Sequence, residues 1–430
     1  MKWQALRGTT DFFGPALTRW QTVEQTARAI ARTYGYSEIR TPVIEDAGLF
    51  LRSVGETSDI VQKEMFRFQD RGGHDIVLRP EGTAAVVRAF IEHHLDKTIG
   101  FAKLFYLGPM FRAARPQAGR LRQFHQLGAE AIGSESPWVD VEVISLCAHI
   151  LQACGVNDVT VCLGSMGSRE DQAESARRLR EALEPDQAGL CRECQARFER
   201  NIFRVLDCKN PNCREIVRKR VTDKPFYLSP TSTARYDAVR RGLSEAGVPF
   251  DESQAFARGL DYYTHTVFEV RAKGLGAQDA VAAGGRYDRL VEELGGPSVS
   301  AIGFAAGIER ILMAADAQQG AAAAPEDGRA GIWVAVPKPE GVPVGFRLVQ
   351  QLRRRGVLAT MDYDGASLKA QLREADKRRF RYVVILGEEE LRKAVLTMKD
   401  LEKRAQEEVP LGTAIETLAR AASAKAAAQP

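Results

Sequence analysis

No stretch of these 430 residues approaches the ~18–20 consecutive apolar side chains that a membrane-spanning helix needs. The opening run MKWQALRGTTDFFG also lacks the apolar segment of a signal peptide. Cysteine is scarce, seven in all, and Cys147, Cys154 and Cys162 stand isolated. That usage excludes a disulfide framework and fits a reducing compartment. Together these absences predict a cytoplasmic protein with no membrane partner. A strong charge of one sign is missing too, since 60 Lys and Arg face 56 Asp and Glu for a net +4. Such a balance permits a nucleic-acid partner without demanding one. What is present is 44% hydrophobic residues, enough to bury proper cores, and a length that suits two or three domains.

The chain is organised around F-R-A-A-R-P-Q-A-G-R-L-R-Q-F-H-Q-L-G-A-E, residues 111–130. Arg112, Arg115, Arg120 and Arg122 fall within it, bracketed by Phe111 and Phe124. Pro116 and Gly119 interrupt the middle, which predicts a strand, a loop and a second strand. Guanidinium groups bind phosphate bidentately and stay charged, and a phenyl face beside them can stack on a purine. One reading is therefore a nucleoside triphosphate held by arginines on a sheet rather than by a glycine loop at a helix start. The other is a solvated basic hairpin that binds nucleic acid by charge alone. Spacing leaves both open.

Before the hairpin, an amphipathic helix is predicted over about 16–34. Glu38–Glu45 then alternates like a strand with Pro42 inside it, so that strand belongs at an edge, as a dimer seam or as a bulged edge in a monomer. The strand K-E-M-F-R-F-Q-D and a turn at Arg71–Gly73 precede L-R-P-E-G-T, residues 78–83, where a strand gives way to a helix near Ala84–His94. Glu81 and Thr83 at that junction suit a ligand's ammonium group; the alternative is helix capping, Thr83 being a fair N-cap.

After the hairpin, a helix over 137–155 and a strand over Val159–Leu163 precede a charged, helical stretch, 165–235, that reads as an inserted module. It holds Cys191, Cys194, Cys208 and Cys213 in the spacing C-x2-C, thirteen residues, C-x4-C. This is near a structural zinc pattern, with a looser second pair than the commonest knuckle, and buried or free thiols are the competing reading. Further on, R-G-L-D-Y-Y-T (258–264), A-G-G-R-Y-D (283–288) and G-I-E-R (307–310) set arginines and tyrosines beside glycines, as a close approach to a ligand requires. Arg310 suits a nucleotide laid on the sheet or an ion pair with Glu309 or another neighbour. Residues 314–328 are alanine-rich without a stripe and read as a linker. From Gly331, strand and helix alternate in a small α/β domain whose basic clusters, Arg353–Arg355 and Lys377–Arg379, suit either solvent or an RNA backbone.

Taken together, these stretches resemble the histidyl-tRNA synthetases, class II aminoacyl-tRNA synthetases, along nearly the whole chain. The segments at 258 and 283 are the signatures that set this family apart from other class II enzymes. The resemblance implies an α+β fold: a class II antiparallel sheet of six or seven strands flanked by helices, with a helical insertion and a C-terminal α/β anticodon-binding domain. It implies a catalytic domain in two parts (1–164 and 236–320), the insertion (165–235), a linker (321–330) and the anticodon-binding domain (331–430). The implied activity is ATP-dependent attachment of L-histidine to histidine tRNA through a histidyl-adenylate, in a homodimer that uses ATP and Mg2+.

By the same resemblance, Arg258 and Arg112 are the catalytic cations. Arg112, Arg120, Phe124 and Arg310 hold ATP. Histidine meets Glu81, Thr83, Gln126, Glu130, Arg258, Tyr262, Tyr263 and Tyr287, with its ammonium on Glu81, Thr83 and Gln126 and its imidazole between Glu130 and Tyr263. The chain departs from the common pattern at Ala114, where many members have glutamate, and at Ala118, Leu121 and Arg289. A non-catalytic relative, the regulatory subunit of ATP phosphoribosyltransferase, is the alternative. It lacks an anticodon domain and usually loses parts of the signatures, both of which this chain keeps.

Overall fold

Side chains in a strand alternate between the two faces of a sheet, and three strands of this protein use that alternation to build a floor of small residues. The computed structural model describes residues 3–55, 58, 60–116, 119–206, 208–221, 226–252, 262–276, 279–319 and 328–423. In chain order the first compact unit, Met1–Ala322, contains β1 (Ser37–Glu38), β2 (Ile44–Asp46), β3 (Phe66–Gln69), β4 (Asp75–Leu78), β5 (Ala102–Phe111) and β6 (Gln123–Ile132). It continues with β7 (Val159–Ser165), β8 (Phe250–Glu252), β9 (Thr264–Ala272), β10 (Ala280–Arg286) and β11 (Ala301–Gly307). The main sheet has eight strands in the order β1-β5-β6-β11-β10-β9-β7-β8. Its inner six are antiparallel, and the two short edge strands β1 and β8 add in parallel, which takes it beyond the expected six or seven.

On β6, Gln126, Gly128 and Glu130 share one face, opposite Gly307, Ala305 and Gly303 of β11, and Ala283 and Gly285 of β10 continue the same rows. The other face carries Leu127, Ala129, Ala131, Ile302, Phe304 and Ala306, all buried. They pack against Trp20, Val23 and Ala27 of the Pro15–Thr33 helix and Val143, Ile144 and Cys147 of the Pro137–Ala153 helix. Each large apolar side chain so buried contributes about 1.5–3 kcal/mol, so the helices fix which face is left for a ligand. The Pro137–Ala153 helix starts where expected, with Pro137 in its first turn and the Ser136 hydroxyl accepting from the Trp138 N–H at 3.3 Å.

The strand expected over Glu38–Glu45 is broken into β1 and β2. The carbonyls of Thr41 and Pro42 between them accept from the buried Arg79 guanidinium at 2.9 and 3.4 Å instead of joining a ladder. Pro42 has no N–H to offer a neighbour strand, so the break falls there. The strand β2 joins a separate antiparallel sheet, β2-β4-β3. Four helices of the 165–235 stretch, Arg169–Leu183, Arg192–Arg200, Phe203–Leu206 and Pro211–Arg220, gather around their own core, which includes Leu179, Leu183, Phe198 and Val205.

The second unit, Ala323–Pro430, holds β12 (Ile332–Ala335), β13 (Ala359–Met361), β14 (Tyr382–Ile385), β15 (Val395–Asp400) and β16 (Ala405–Pro410) in the order β13-β12-β14-β15-β16. The first three strands are parallel; β15 and β16 extend the sheet as an antiparallel hairpin that strict strand–helix alternation does not anticipate. Among the described residues no helix is long and apolar enough to cross a membrane.

Candidate active site

Two cavities open over the small-residue face. One, of about 210 Å³, is lined by Arg112, Arg120, Phe124, Gln126, Glu309 and Arg310. The other, of about 270 Å³, is lined by Glu81, Thr83, Arg112, Gln126, Tyr262, Tyr263 and Tyr287. Arg112 and Gln126 belong to both, so these are two chambers of one cleft with Arg112 at the joint.

The hairpin supplies that joint. With β5 ending at Phe111 and β6 starting at Gln123, Arg112 follows the last β5 residue and its N–H donates to the Arg122 carbonyl at 2.8 Å. Its Nε donates to the Pro80 carbonyl at 2.9 Å, which aims the other guanidinium nitrogens at the cleft. The guanidinium carbon lies 5.1 Å from the Phe124 ring centroid, a cation–π arrangement that holds both side chains. Burial pulls the Arg112 pKa down, and the charges of Glu64 and Glu81 oppose that. Arg120 forms an ion pair with Glu64. Arg310 donates from Nε to the Ala280 carbonyl at 2.6 Å and lines the same chamber. The Glu309 carboxylate, one of the partners offered for Arg310, accepts from the His125 N–H at 3.0 and 3.1 Å. Ala114, also in this chamber, offers it no polar group.

Two carboxylates shape the second chamber. Glu81 is 4% exposed and accepts from the Thr83 and Ala84 N–H groups at 2.6 and 2.9 Å. It is therefore Glu81, not Thr83, that caps the Thr83–Glu92 helix, because two free N–H groups at the helix start face its carboxylate. Thr83 instead donates its hydroxyl to Glu130 at 2.7 Å, and the Tyr287 hydroxyl donates to the other Glu130 oxygen at 2.5 Å. Glu130 is fully buried and sits behind these two lining side chains rather than on the chamber wall itself. Burial pushes its pKa up to about 8; the Tyr287 and Thr83 hydrogen bonds oppose that rise, and the Glu81 charge adds to it. A Cβ at Gly303, directly across the β6–β11 ladder, would come 1.7 Å from a Glu130 oxygen, so glycine there makes the room. Tyr262 packs edge-on against Tyr263 and Tyr287 with centroids at 4.9 and 5.7 Å. Between the chambers, the buried Gln126 Oε1 accepts no hydrogen bond from any described group. An acceptor so placed suits a ligand donor, because leaving it unpaired costs about 1–3 kcal/mol.

Arg258 lies outside the described residues. The neighbouring motif is legible: Arg286, read from sequence as a companion of the ligand, is fully buried and bound to Asp140, with further bonds to the Ser134 and Ser136 carbonyls at 2.9 and 3.2 Å. It braces the Pro137–Ala153 helix, while Tyr287 beside it turns to the cleft because strand neighbours face opposite ways. Arg79 likewise serves the framework, donating to the Pro109 carbonyl at 3.0 Å and the Thr41 carbonyl at 2.9 Å. Glu64 is the residue that sequence reasoning missed. It ends a π-helical turn, Ile60–Glu64, and nothing local marks it as the partner of Arg120.

An antiparallel sheet whose open face carries a two-chambered cleft, with arginines on one side and a carboxylate–tyrosine pocket on the other, is the design of a class II aminoacyl-tRNA synthetase. The family profile described as "Histidyl-tRNA synthetase" matches residues 8–311, and that described as "Anticodon binding domain" matches 333–421. The histidine–tRNA ligase of Moorella thermoacetica is 46% identical over 95% of this chain and 96% of its own length. That of Halothermothrix orenii is 43% identical over 96% and 98%. The solved apo histidyl-tRNA synthetase of Staphylococcus aureus superposes with a TM-score of 0.81 at 32% identity, covering 97% of this chain and 100% of that one. The chain belongs to the histidyl-tRNA synthetase family, and its activity is the histidylation of tRNA. The regulatory-subunit alternative is less supported. A Bacillus halodurans structure titled as an ATP phosphoribosyltransferase regulatory subunit/histidyl-tRNA synthetase shares the fold, at 20% identity and a TM-score of 0.63.

Proposed function

We propose that histidylation runs in two steps across the joint between the chambers. ATP occupies the arginine-lined chamber, its adenine against Phe124 and its outer phosphates on Arg120 and Arg310. L-histidine occupies the other, its ammonium on Glu81, Thr83 and the unpartnered Gln126 oxygen, its imidazole toward Glu130 and Tyr263. The histidine carboxylate attacks the α-phosphorus, the bond from phosphorus to the bridging oxygen breaks, and pyrophosphate leaves with that electron pair. The 3′-terminal ribose hydroxyl of histidine tRNA then attacks the acyl carbon of the histidyl-adenylate; the bond from that carbon to the phosphate oxygen breaks, AMP departs with the electron pair, and the hydroxyl proton passes to solvent.

The observation that carries this reading is the sharing of Arg112 by both chambers, since a cation at the joint stands where charge grows on the α-phosphate. By family resemblance, Arg258 flanks the same phosphate from the histidine side. A magnesium ion would ride on the triphosphate and neutralise its charge, with Glu309 the carboxylate lining that chamber. Selectivity would come from the Thr83 and Tyr287 hydroxyls that Glu130 holds from behind and from the unpaired Gln126 oxygen, because an apolar ligand would leave that oxygen unpaired.

A homodimer is proposed from the small sheet. Ile44, Phe66, Phe68, Ile76 and Leu78 share one of its faces, and Ile44 and Phe68 are 51% and 45% exposed. An apolar face of that kind suits a second copy of this chain. The 331–430 unit is proposed to read the tRNA.

The test is ATP–pyrophosphate exchange with each amino acid supplied in turn. Only histidine is expected to support exchange. Exchange driven by another amino acid, or by none, overturns the reading.

A further inference from the structure

Away from the cleft, the helices of the 165–235 stretch bring four thiols to one point. Cys191 immediately precedes the Arg192–Arg200 helix and Cys194 lies in its first turn; Cys213 lies in the first turn of the Pro211–Arg220 helix, and Cys208 in the loop before it. All four sulfurs lie within 4.8 Å of one another, and no disulfide joins them. Tetrahedral zinc with bonds of about 2.3 Å sets its sulfurs about 3.8 Å apart. The Cys191 and Cys208 sulfurs are already 3.9 Å apart.

Two backbone donors turn toward this sulfur cluster. The Cys191 N–H donates to the Cys213 sulfur at 3.1 Å, and the Asn210 N–H donates to the Cys208 sulfur at 3.4 Å. Such bonds stabilise thiolates and orient them as ligands. Thiols used only as apolar filler have no reason to converge, and disulfides join them only in pairs. We propose that Cys191, Cys194, Cys208 and Cys213 hold a structural zinc ion. With four protein ligands the site is closed, so the ion has no open position for chemistry.

Its role follows from the size of the module. Leu179, Leu183, Phe198, Ile202 and Val205 form a small core that includes three of the cysteines, and small cores are commonly stapled by a metal. The order of this module reaches the cleft: Gln172, on the Arg169–Leu183 helix that carries Leu179 and Leu183, donates to the Tyr263 carbonyl at 3.0 Å.

The test uses the full chain purified without chelator. Elemental analysis is expected to find about one zinc per chain. Cobalt(II) exchanged into the site is expected to give a thiolate-to-cobalt charge-transfer band and tetrahedral d–d bands. Because Cys194→Ser risks unfolding the module, Cys191→Ser, at the half-exposed edge of the cluster, is the principal variant. As loss of a direct ligand, this is expected to lower zinc affinity by more than the roughly 100-fold that loss of an outer-shell partner can cost, so that the purified variant carries little zinc, while Cys154→Ser keeps the wild-type value. A wild-type chain that takes up no zinc, a cobalt spectrum without the thiolate band, or full zinc retention in Cys191→Ser overturns the proposal.

Discussion

The proposed histidine pocket is backed by a carboxyl that the sheet keeps dry. Glu130 has no water-facing surface, and its pKa stands near 8 against an ordinary 4.5. The folded chain therefore holds a proton that the unfolded chain gives up. The stability this contributes is complete below about pH 4.5 and is lost as pH rises through about 8. In Glu130→Gln that loss is expected to vanish, so urea midpoints measured from pH 5 to pH 8 should run flatter than in the wild type. The same variant is expected to weaken histidine binding far more than ATP binding in calorimetry. Equal weakening of both ligands would place Glu130 outside the imidazole pocket. Sequence resemblance names Glu130 but says nothing of Gly303, whose missing side chain makes Glu130 possible; that dependence exists only once β6 and β11 are in register.

At the scale of elements, local patterning was readable wherever side-chain period decided the outcome. The arginine hairpin, the helix over residues 137–153 and the glycine-bearing strands lie close to where their sequences put them. Patterning misleads where a long-range partner decides. Pro42 splits one expected strand in two because Arg79, far along the chain, takes the carbonyls beside it. Arg286 looks like a ligand contact beside its glycines until Asp140 is seen to hold it. Removing Asp140 from the buried pair leaves the Arg286 guanidinium to Asp288, 3.1 Å away, and to backbone carbonyls. Asp140→Ala is therefore expected to cost about 3–5 kcal/mol in urea unfolding, with the loss centred on the packing of the Pro137–Ala153 helix. A change under about 1 kcal/mol would mean that Asp288 and the Ser134 and Ser136 carbonyls suffice for Arg286.

For the whole molecule, composition indicated several domains, and the motifs indicated which family they form. Chain sequence could not reveal that the arginines and tyrosines occupy two chambers with a common wall, because that wall is assembled from residues up to about two hundred positions apart. Assembly is testable at this scale: Phe68→Asp, on the exposed face of the small sheet, is expected to convert a dimer to a monomer in sedimentation without unfolding it. An unchanged dimer would move the seam elsewhere. The central claim is that Arg112, at the joint of the chambers, serves the chemical step itself. Histidine-dependent ATP–pyrophosphate exchange by Arg112→Ala measures it most directly. The rate is expected to drop about 100-fold or more at saturating histidine and ATP, as loss of a cation that acts at the transition state requires. Exchange at the wild-type rate would contradict the account.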